Sequence, residues 1–303
     1  MIWHNRTGTK EEGMSHNNEL MKDQVCLVTG ATDGIGKVTA RELAAAGARV
    51  VIVGRNEAKT ERTVSEIKQR TGNDQVEYLI ADLSSMQQMR DLATEFKRRH
   101  DRLDVLVNNA GAIFMSRQES ADGLEMTFAL NHLAYFLLTN LLIDVLKVSA
   151  PARIVNVSSG AHYRGHLDFD DLQHEQKYSG PRAYGDSKLM NVMFTYELAR
   201  RLDATGITAN TLHPGLVATN FMANNWGLLG KLARRLLNLA SISAEQGAQT
   251  TLYLAASPGV EGVTGKYFDK KKPIKSSEES YDVEAQRRLW EISAEITNLQ
   301  PTI

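Results

Sequence analysis

The chain has 303 residues, with 35 Lys plus Arg against 36 Asp plus Glu, and a formal net charge of −1. Its 42% hydrophobic residues are too many for wholesale disorder, and the balanced charge gives no bulk reason to expect a nucleic-acid partner. A lone cysteine, Cys26, excludes an intrachain disulfide and a cysteine-cluster zinc site.

Residues 1–22 are polar and aperiodic and read as a mobile tail. They lack the apolar segment of a secretory signal, and no stretch reaches the roughly 18 consecutive apolar residues of a membrane span, so the expected location is cytoplasmic. From Gln24 a rhythm begins. Short β-branched runs at 25–28, 49–53, 76–80, 105–107, 154–157 and 207–212 predict strands. Amphipathic stretches at 34–46, 56–70, 85–99, 123–147 and 182–203 predict helices between them. Continuous apolar strands separated by helices give an α/β fold. The expectation is a doubly wound parallel sheet of the Rossmann kind, with helices on both faces and the ligand at the strands' carboxyl ends. Two long segments, 160–181 and 216–242, interrupt the rhythm at such strand ends, where pockets and lids are built. A last strand at 264–268 and a last helix at 280–296 belong to the same sheet. No repeat, linker or shift of composition divides the chain, so 23–303 is expected to be a single domain.

The first strand runs into Thr29-Gly30-Ala31-Thr32-Asp33-Gly34-Ile35-Gly36 and then into a helix. Glycines there allow a tight turn, let backbone approach a pyrophosphate, and bring helix and strand together. The helix N-terminus offers N–H groups and partial positive charge to phosphates. The spacing Gly-x3-Gly-x-Gly differs from the usual Gly-x-Gly-x2-Gly. A glycine pattern alone can be a plain turn; its place in the first βα unit makes it a dinucleotide signature.

With Thr29-Gly30-x3-Gly34-x-Gly36 come Asp82, Asn108-Asn109-Ala110-Gly111, Asn131, Ser159, Tyr184-x3-Lys188 and Pro214-Gly215, in that order over about residues 24–268. In this ordered set the chain resembles the short-chain dehydrogenase/reductase family in its classical form. Arg153-Ile-Val-Asn-Val-Ser-Ser159, Asn131-His-Leu-Ala-Tyr-Phe-Leu-Leu-Thr139 and Leu289-Trp290 resemble its retinol-dehydrogenase-like branch. The resemblance implies cofactor contacts from Gly30, Thr32, Asp33, Gly34, Ile35 and Gly36 in the turn. It implies more from Asp82 and Leu83 after the third strand and from Asn109, Ala110 and Gly111 after the fourth. Tyr184, Lys188, Pro214, Gly215, Val217 and Thr219 would serve the nicotinamide end.

The choice of cofactor has a physical argument. NAD-selective sites place a carboxylate after the second strand for the ribose 2′-OH. Here Gly54 and Arg55 follow that strand, and a guanidinium suits a 2′-phosphate through forked, charge-assisted hydrogen bonds. NADP(H) is therefore expected over NAD(H), a solvated Arg55 being the alternative, and the resemblance implies the same preference. Lys37 reads as a surface lysine of the first helix. The resemblance places Asp82 on the adenine; as a plain alternative it caps the following helix, with Ser84 competing for that role.

Tyr184 and Lys188, four residues apart, share one helix face. A phenol titrates near 10, so a base working at about pH 7 needs its phenolate favoured. A neighbouring lysine and the nicotinamide's positive charge have the right sign. Tyr267-x3-Lys271 matches the spacing but runs from a strand into Lys270–Lys272 and Pro273, so it lacks the helix and is rejected. The resemblance selects Ser159, the second of the Ser158-Ser159 pair, as donor to the substrate carbonyl, and Asn131 as holder of a relay water near Lys188. A buried Asn131 bonded to backbone is the alternative. The 25 residues between Ser159 and Tyr184 make a long gap, which matches the same branch. By resemblance, Asn108–Gly111 both stabilises the sheet and lines the cofactor cleft.

His162, His166, Asp168, Asp170 and His174 invite a metal reading, but Gly160 and Gly165 work against a helix there and no metal is expected. No Gly-x-Ser-x-Gly elbow, His-Glu-x2-His or P-loop lysine is present. The expected function is NADP(H)-dependent hydride transfer between nicotinamide and the carbonyl or alcohol carbon of a small hydrophobic substrate. A non-catalytic dinucleotide sensor or scaffold is the alternative, against which the complete set Asn131, Ser159, Tyr184 and Lys188 argues. Phe221, Met222, Trp226, Leu228 and Leu229 predict an apolar lid. The alternatives are a homo-oligomer interface, or a membrane-surface helix over 226–239.

Overall fold

The computed structural model describes residues 20–215 and 242–299. Its sheet is built from β1 (Val25–Thr29), β2 (Arg49–Gly54), β3 (Val76–Ile80), β4 (Val105–Asn108), β5 (Ala152–Val157), β6 (Ile207–His213), β7 (Tyr267–Asp269) and β8 (Lys272–Ile274). They lie in the order β3-β2-β1-β4-β5-β6-β7-β8. The strands are parallel up to β7, and β8 turns back antiparallel with Ile274 opposite Tyr267. The direction of winding reverses between β1 and β4, which opens a crevice beyond their carboxyl ends.

The helices are α1 (Gly34–Ala45), α2 (Glu57–Thr71), α3 (Met86–Arg99), α4 (Met126–Phe128), α5 (Ala134–Leu141), α6 (Ile143–Val148), α7 (Gly180–Arg201), α8 (Ala244–Ala256) and α9 (Val283–Ile296). Period-two alternation of the strands sorts the core into two layers. Cys26, Val28, Val50, Ile52, Val105 and Val107 face α1, α2 and α8, which supply Leu43, Ile67 and Leu254. Leu27, Val51, Leu106 and Ile154 face the other layer, where α3, α5, α7 and α9 supply Phe96, Phe136, Phe194 and Trp290.

The chain departs from the sequence expectation where local chemistry overrides periodicity. The helix expected at 123–147 is interrupted. Glu125, fully buried, accepts the Thr127 and Phe128 N–H groups at 2.8 and 2.6 Å, a π-helical turn spans Ala129–Leu133, and the helix breaks again at Leu142. Helix α8 was not expected, although Ser243 and Gln246 form a reciprocal capping box at its start. The strand expected at 264–268 begins at Tyr267, after Gly265 at φ +64, and is followed by an unexpected β8, the Lys270–Lys271 turn into it having φ +48 and +64. The last helix starts at Val283, capped by Asp282, after a 3₁₀ turn at Glu278–Tyr281. A 3₁₀ turn also forms at Gly160–Arg164, where glycines had argued against any helix. Met21 is buried and its N–H donates to Ala46 O at 2.9 Å, so ordered packing starts inside the stretch read as a tail. Residues 1–19 of that tail, and Val217, Thr219 and the expected lid residues, lie outside the described residues.

Candidate active site

The glycine turn is held by the segment after β4. Asn109 Nδ2 donates to Thr29 O and Gly30 O at 2.9 and 3.2 Å, while Thr29 Oγ1 accepts the N–H groups of Asn109 and Ala110 at 2.9 and 3.1 Å. The approach leaves no room for side chains. A Cβ on Gly30, which has φ +63, would stand 2.8 Å from Ala110 Cα, and one on Gly36 would stand 2.5 Å from Gly30 O. Exposed Asp33 caps α1 by accepting Gly34 N–H at 2.8 Å; Thr32 and Ile35 are half-buried in the same turn. Tight glycine backbone, a helix N-terminus and open sides make a cradle that fits a pyrophosphate.

Beyond β2 and β3, Arg55 is 73% exposed and its Nη1 stands 3.4 Å from Asp82 Oδ2. Asp82 accepts Ser84 N–H and Ser84 Oγ–H at 3.0 and 2.6 Å. Burial pushes its carboxyl up, but the bonds from Ser84 and Arg55 outweigh this and hold it below the usual carboxylate range. Neither Asp82 nor Ser84 caps α3: that cap is Ser85, accepting Gln88 N–H at 3.4 Å. Leu83 is buried beside it. Lys37 is engaged at the surface by Glu66 at 2.6 Å.

Four elements converge at the other end of the crevice. Tyr184 and Lys188 lie one turn apart on α7, and the Ser159 hydroxyl is near enough to the Tyr184 phenol to favour its charged form. Ser158 turns the opposite way, donating to Lys188 O at 2.8 Å, so the adjacent serines are separated by what they face. Lys188 is buried; its ammonium donates to Val157 O at 3.0 Å and sits 5.5 and 5.7 Å from the ring centres of Tyr135 and Tyr184. Asn131 sits on the π-helical turn with its side chain fully engaged. Its Oδ1 accepts Ala112 N–H at 2.9 Å, and its Nδ2 donates to Ala112 O and Ser187 Oγ at 2.9 and 3.1 Å. A Cβ on Gly111 would lie 3.1 Å from Asn131 Oδ1 and 3.4 Å from Lys188 Nζ, so this glycine keeps the floor open beside them. Asn108 points into the sheet, donating to Thr139 Oγ1 and Asn156 Oδ1 at 3.0 and 2.9 Å. Pro214 and Gly215 follow β6, with Gly215 at φ +89.

Burial pushes the Tyr184 phenol up to about 12, only partly opposed by the Ser159 hydroxyl, and pushes Lys188 down to about 7. The lysine alone therefore does not bring the phenol toward neutrality, because the same desolvation disfavours both charges. Without cofactor the phenol is therefore neutral at about pH 7. Lys188→Met is accordingly expected to leave the cofactor-free protein at least as stable at pH 7, and more stable by about 1 kcal/mol or more. The folded pKa of Lys188 lies below the 10.5 of a free lysine, so the unfolded chain binds its proton more tightly. The variant's advantage should shrink as pH rises from about 7 toward 10. Urea unfolding of both proteins at about pH 7 and pH 9 checks this; a less stable variant with a pH-independent deficit would contradict it.

The sequence reading missed what surrounds Ser159. His162 is fully buried, its Nδ1 2.7 Å from Ser159 O and its Nε2 3.2 Å from Ser277 N. His213 Nδ1 accepts Gly160 and Gly215 N–H at 3.0 and 3.3 Å. The other residues of the metal reading have protein partners: His166 bonds Glu279 at 3.1 Å, and His174 lies 3.3 Å from Asp186. Among the described residues no three potential ligands come together for a metal ion. Tyr267 and Lys271 fall on a strand and a hairpin turn rather than one helix face, and Tyr267 packs on the His162 ring at 4.6 Å.

A family model described as short chain dehydrogenase matches residues 24–227, and the chain belongs to the short-chain dehydrogenase/reductase family of oxidoreductases. It lies in the retinol-dehydrogenase-like branch. Human retinol dehydrogenase 12 is 43% identical over 288 residues, covering 95% of this chain and 90% of that protein. Human polyprenol dehydrogenase is 44% identical over 284 residues, covering 91% and 86%. Among solved structures, the Pseudomonas aeruginosa RhlG/NADP active-site complex is 27% identical with a TM-score of 0.68, over 84% of this chain and 97% of that one. The fold binds a nicotinamide dinucleotide, and among the described residues no helix is long and apolar enough to cross a membrane.

Proposed function

We propose that the chain is an NADP(H)-dependent oxidoreductase acting on the carbonyl or alcohol carbon of a hydrophobic substrate. The observation that carries this reading is the Ser159–Tyr184 hydroxyl pair with Lys188 one turn behind it. When bound, the nicotinamide supplies or accepts the hydride. Ser159 and Tyr184 then direct hydrogen bonds at one substrate oxygen. Tyr184 gives its phenol proton to that oxygen during reduction, leaving a phenolate; in oxidation it is this phenolate that takes the proton from the alcohol. Lys188 holds the nicotinamide ribose and biases the phenol. Asn131, its side chain spent on Ala112 and Ser187, keeps the backbone of its turn set for a relay water near Lys188.

The cofactor preference is supported by Arg55, exposed where an NAD-selective site carries an acid, and by the NADP named in the RhlG complex. The substrate class is supported by the retinol and polyprenol in the relatives' names, both hydrophobic alcohols. The apolar composition of 216–242 agrees with it. Each methylene buried by such a lid contributes about 0.8 kcal/mol, so kcat/KM is expected to rise with chain length across aliphatic aldehydes and ketones assayed with NADPH. Trp226→Ala should flatten the trend without changing NADPH affinity. A flat or falling series in the native enzyme would favour a subunit interface as the use of those residues.

A further inference from the structure

The peptide after Ser159 is gripped on both edges. Its carbonyl, Ser159 O, lies 2.7 Å from His162 Nδ1, and its N–H, that of Gly160, donates to His213 Nδ1 at 3.0 Å. The partners fix the protonation states, because a backbone N–H can only donate. Ser277 N–H donates to His162 Nε2 at 3.2 Å, so that nitrogen carries no proton, and the neutral ring has its N–H on Nδ1, facing Ser159 O. Gly160 and Gly215 N–H both point at His213 Nδ1, so the neutral His213 carries its proton on Nε2. The two imidazoles are opposite tautomers. Burial keeps both neutral, holding His162 down at about 4 and His213 below the ordinary histidine value; the charges bearing on His213, Asp269 and Lys270, oppose each other.

Each ring also grips a second segment. His162 joins Ser159 to Ser277, in the stretch between β8 and α9, and is wedged against Tyr163 and Tyr267 with ring centres 4.0 and 4.6 Å away. His213 joins Gly160 to the Pro214-Gly215 turn. The Ser159 hydroxyl itself accepts Ala161 N–H at 3.2 Å, so its direction depends on the turn whose first peptide the two rings fix.

We infer that His162 and His213 are positioning residues that clamp the Ser159–Gly160 peptide and thereby aim the Ser159 hydroxyl at Tyr184. The inference rests on the reading of Ser159 and Tyr184 as the reacting groups. Asparagine and glutamine separate this role from mere filling of space, since an Asn amide reaches the place of Nδ1 and a Gln amide that of Nε2. His162→Asn keeps the donor to Ser159 and loses Ser277; His162→Gln does the reverse. His213→Asn keeps an acceptor for Gly160, and His213→Gln does not.

With NADPH and a hydrophobic aldehyde, both Asn variants are expected to keep kcat within about threefold of native, and both Gln variants to lose roughly 10- to 100-fold, with KM for NADPH unchanged. Equal kcat for Asn and Gln at both positions would overturn the clamp. Tyr184→Phe is run beside them: full activity there would instead overturn the reading of the site on which the clamp rests. Imidazole ¹⁵N spectra of the cofactor-free native protein give a readout independent of turnover. They should show His162 protonated only on Nδ1 and His213 only on Nε2 at pH 7; any other tautomer, or a charged ring, would overturn the inference.

Discussion

Tyr184→Phe is expected to lower turnover by roughly 10²–10⁴-fold while leaving folding and cofactor affinity in place. The substitution removes one oxygen, which lies near the Ser159 hydroxyl on a helix whose backbone does not depend on it. What disappears is the phenol that Ser159 and Lys188 both approach. Tyr267→Phe is the matched control and should change nothing in kcat, because Tyr267 is buried on β7 and the substitution keeps the ring that packs on His162. Steady-state kinetics of both variants, with thermal shifts on adding NADPH, check the pair. Near-native turnover in Tyr184→Phe, or its loss in Tyr267→Phe, would mean that the wrong tyrosine has been chosen.

Arg55→Ala is expected to weaken NADPH by about 10- to 100-fold and to leave NADH nearly unchanged, as for one charge-assisted contact. Arg55 is already paired, and the comparison of magnitudes decides whether that matters. Its contact with Asp82, 3.4 Å long with the arginine largely exposed, belongs to a class of pairs worth about 0–1 kcal/mol. A phosphate in reach offers a bond worth about 1.5–3 kcal/mol, so the guanidinium is free to exchange partners. Titration calorimetry with the two cofactors measures the effect directly. Equal affinities in the native protein would remove the basis for the preference.

The parallel sheet was legible because β1, β2, β4 and β5 are buried on both faces and read as unbroken apolar runs between helices. The glycine turn and Tyr184-x3-Lys188 were legible because backbone approach and one-face spacing leave a fixed signature in sequence. Helix α8 escaped although Ser243-x2-Gln246 announced its start, since Gly247, Thr250 and Thr251 inside it have low helix propensity. The π-helical turn under Asn131 left no periodic trace, because one added residue in a helical turn changes register without changing composition. His162 looked like a stray metal ligand, and His213, just past the strand expected at 207–212, carried no signal. Their roles come from long-range contacts to Ser277, Gly160 and Gly215, which no local pattern encodes. The charge state of the phenol was hidden for a related reason: proximity of Lys188 is visible in sequence, and the burial that pushes the phenol up and the lysine down is not.

The most direct measurement of the proposed activity tracks the hydride itself. NADPH deuterated at C4 of the nicotinamide is incubated with the protein and a panel of hydrophobic aldehydes and ketones, and the product alcohols are analysed by mass spectrometry. The account predicts deuterium on the former carbonyl carbon, one equivalent per NADPH consumed, with Tyr184→Phe giving almost none. NADPH that binds and raises the melting temperature, yet yields no deuterated alcohol from any member of the panel, would contradict it and make the protein a dinucleotide sensor.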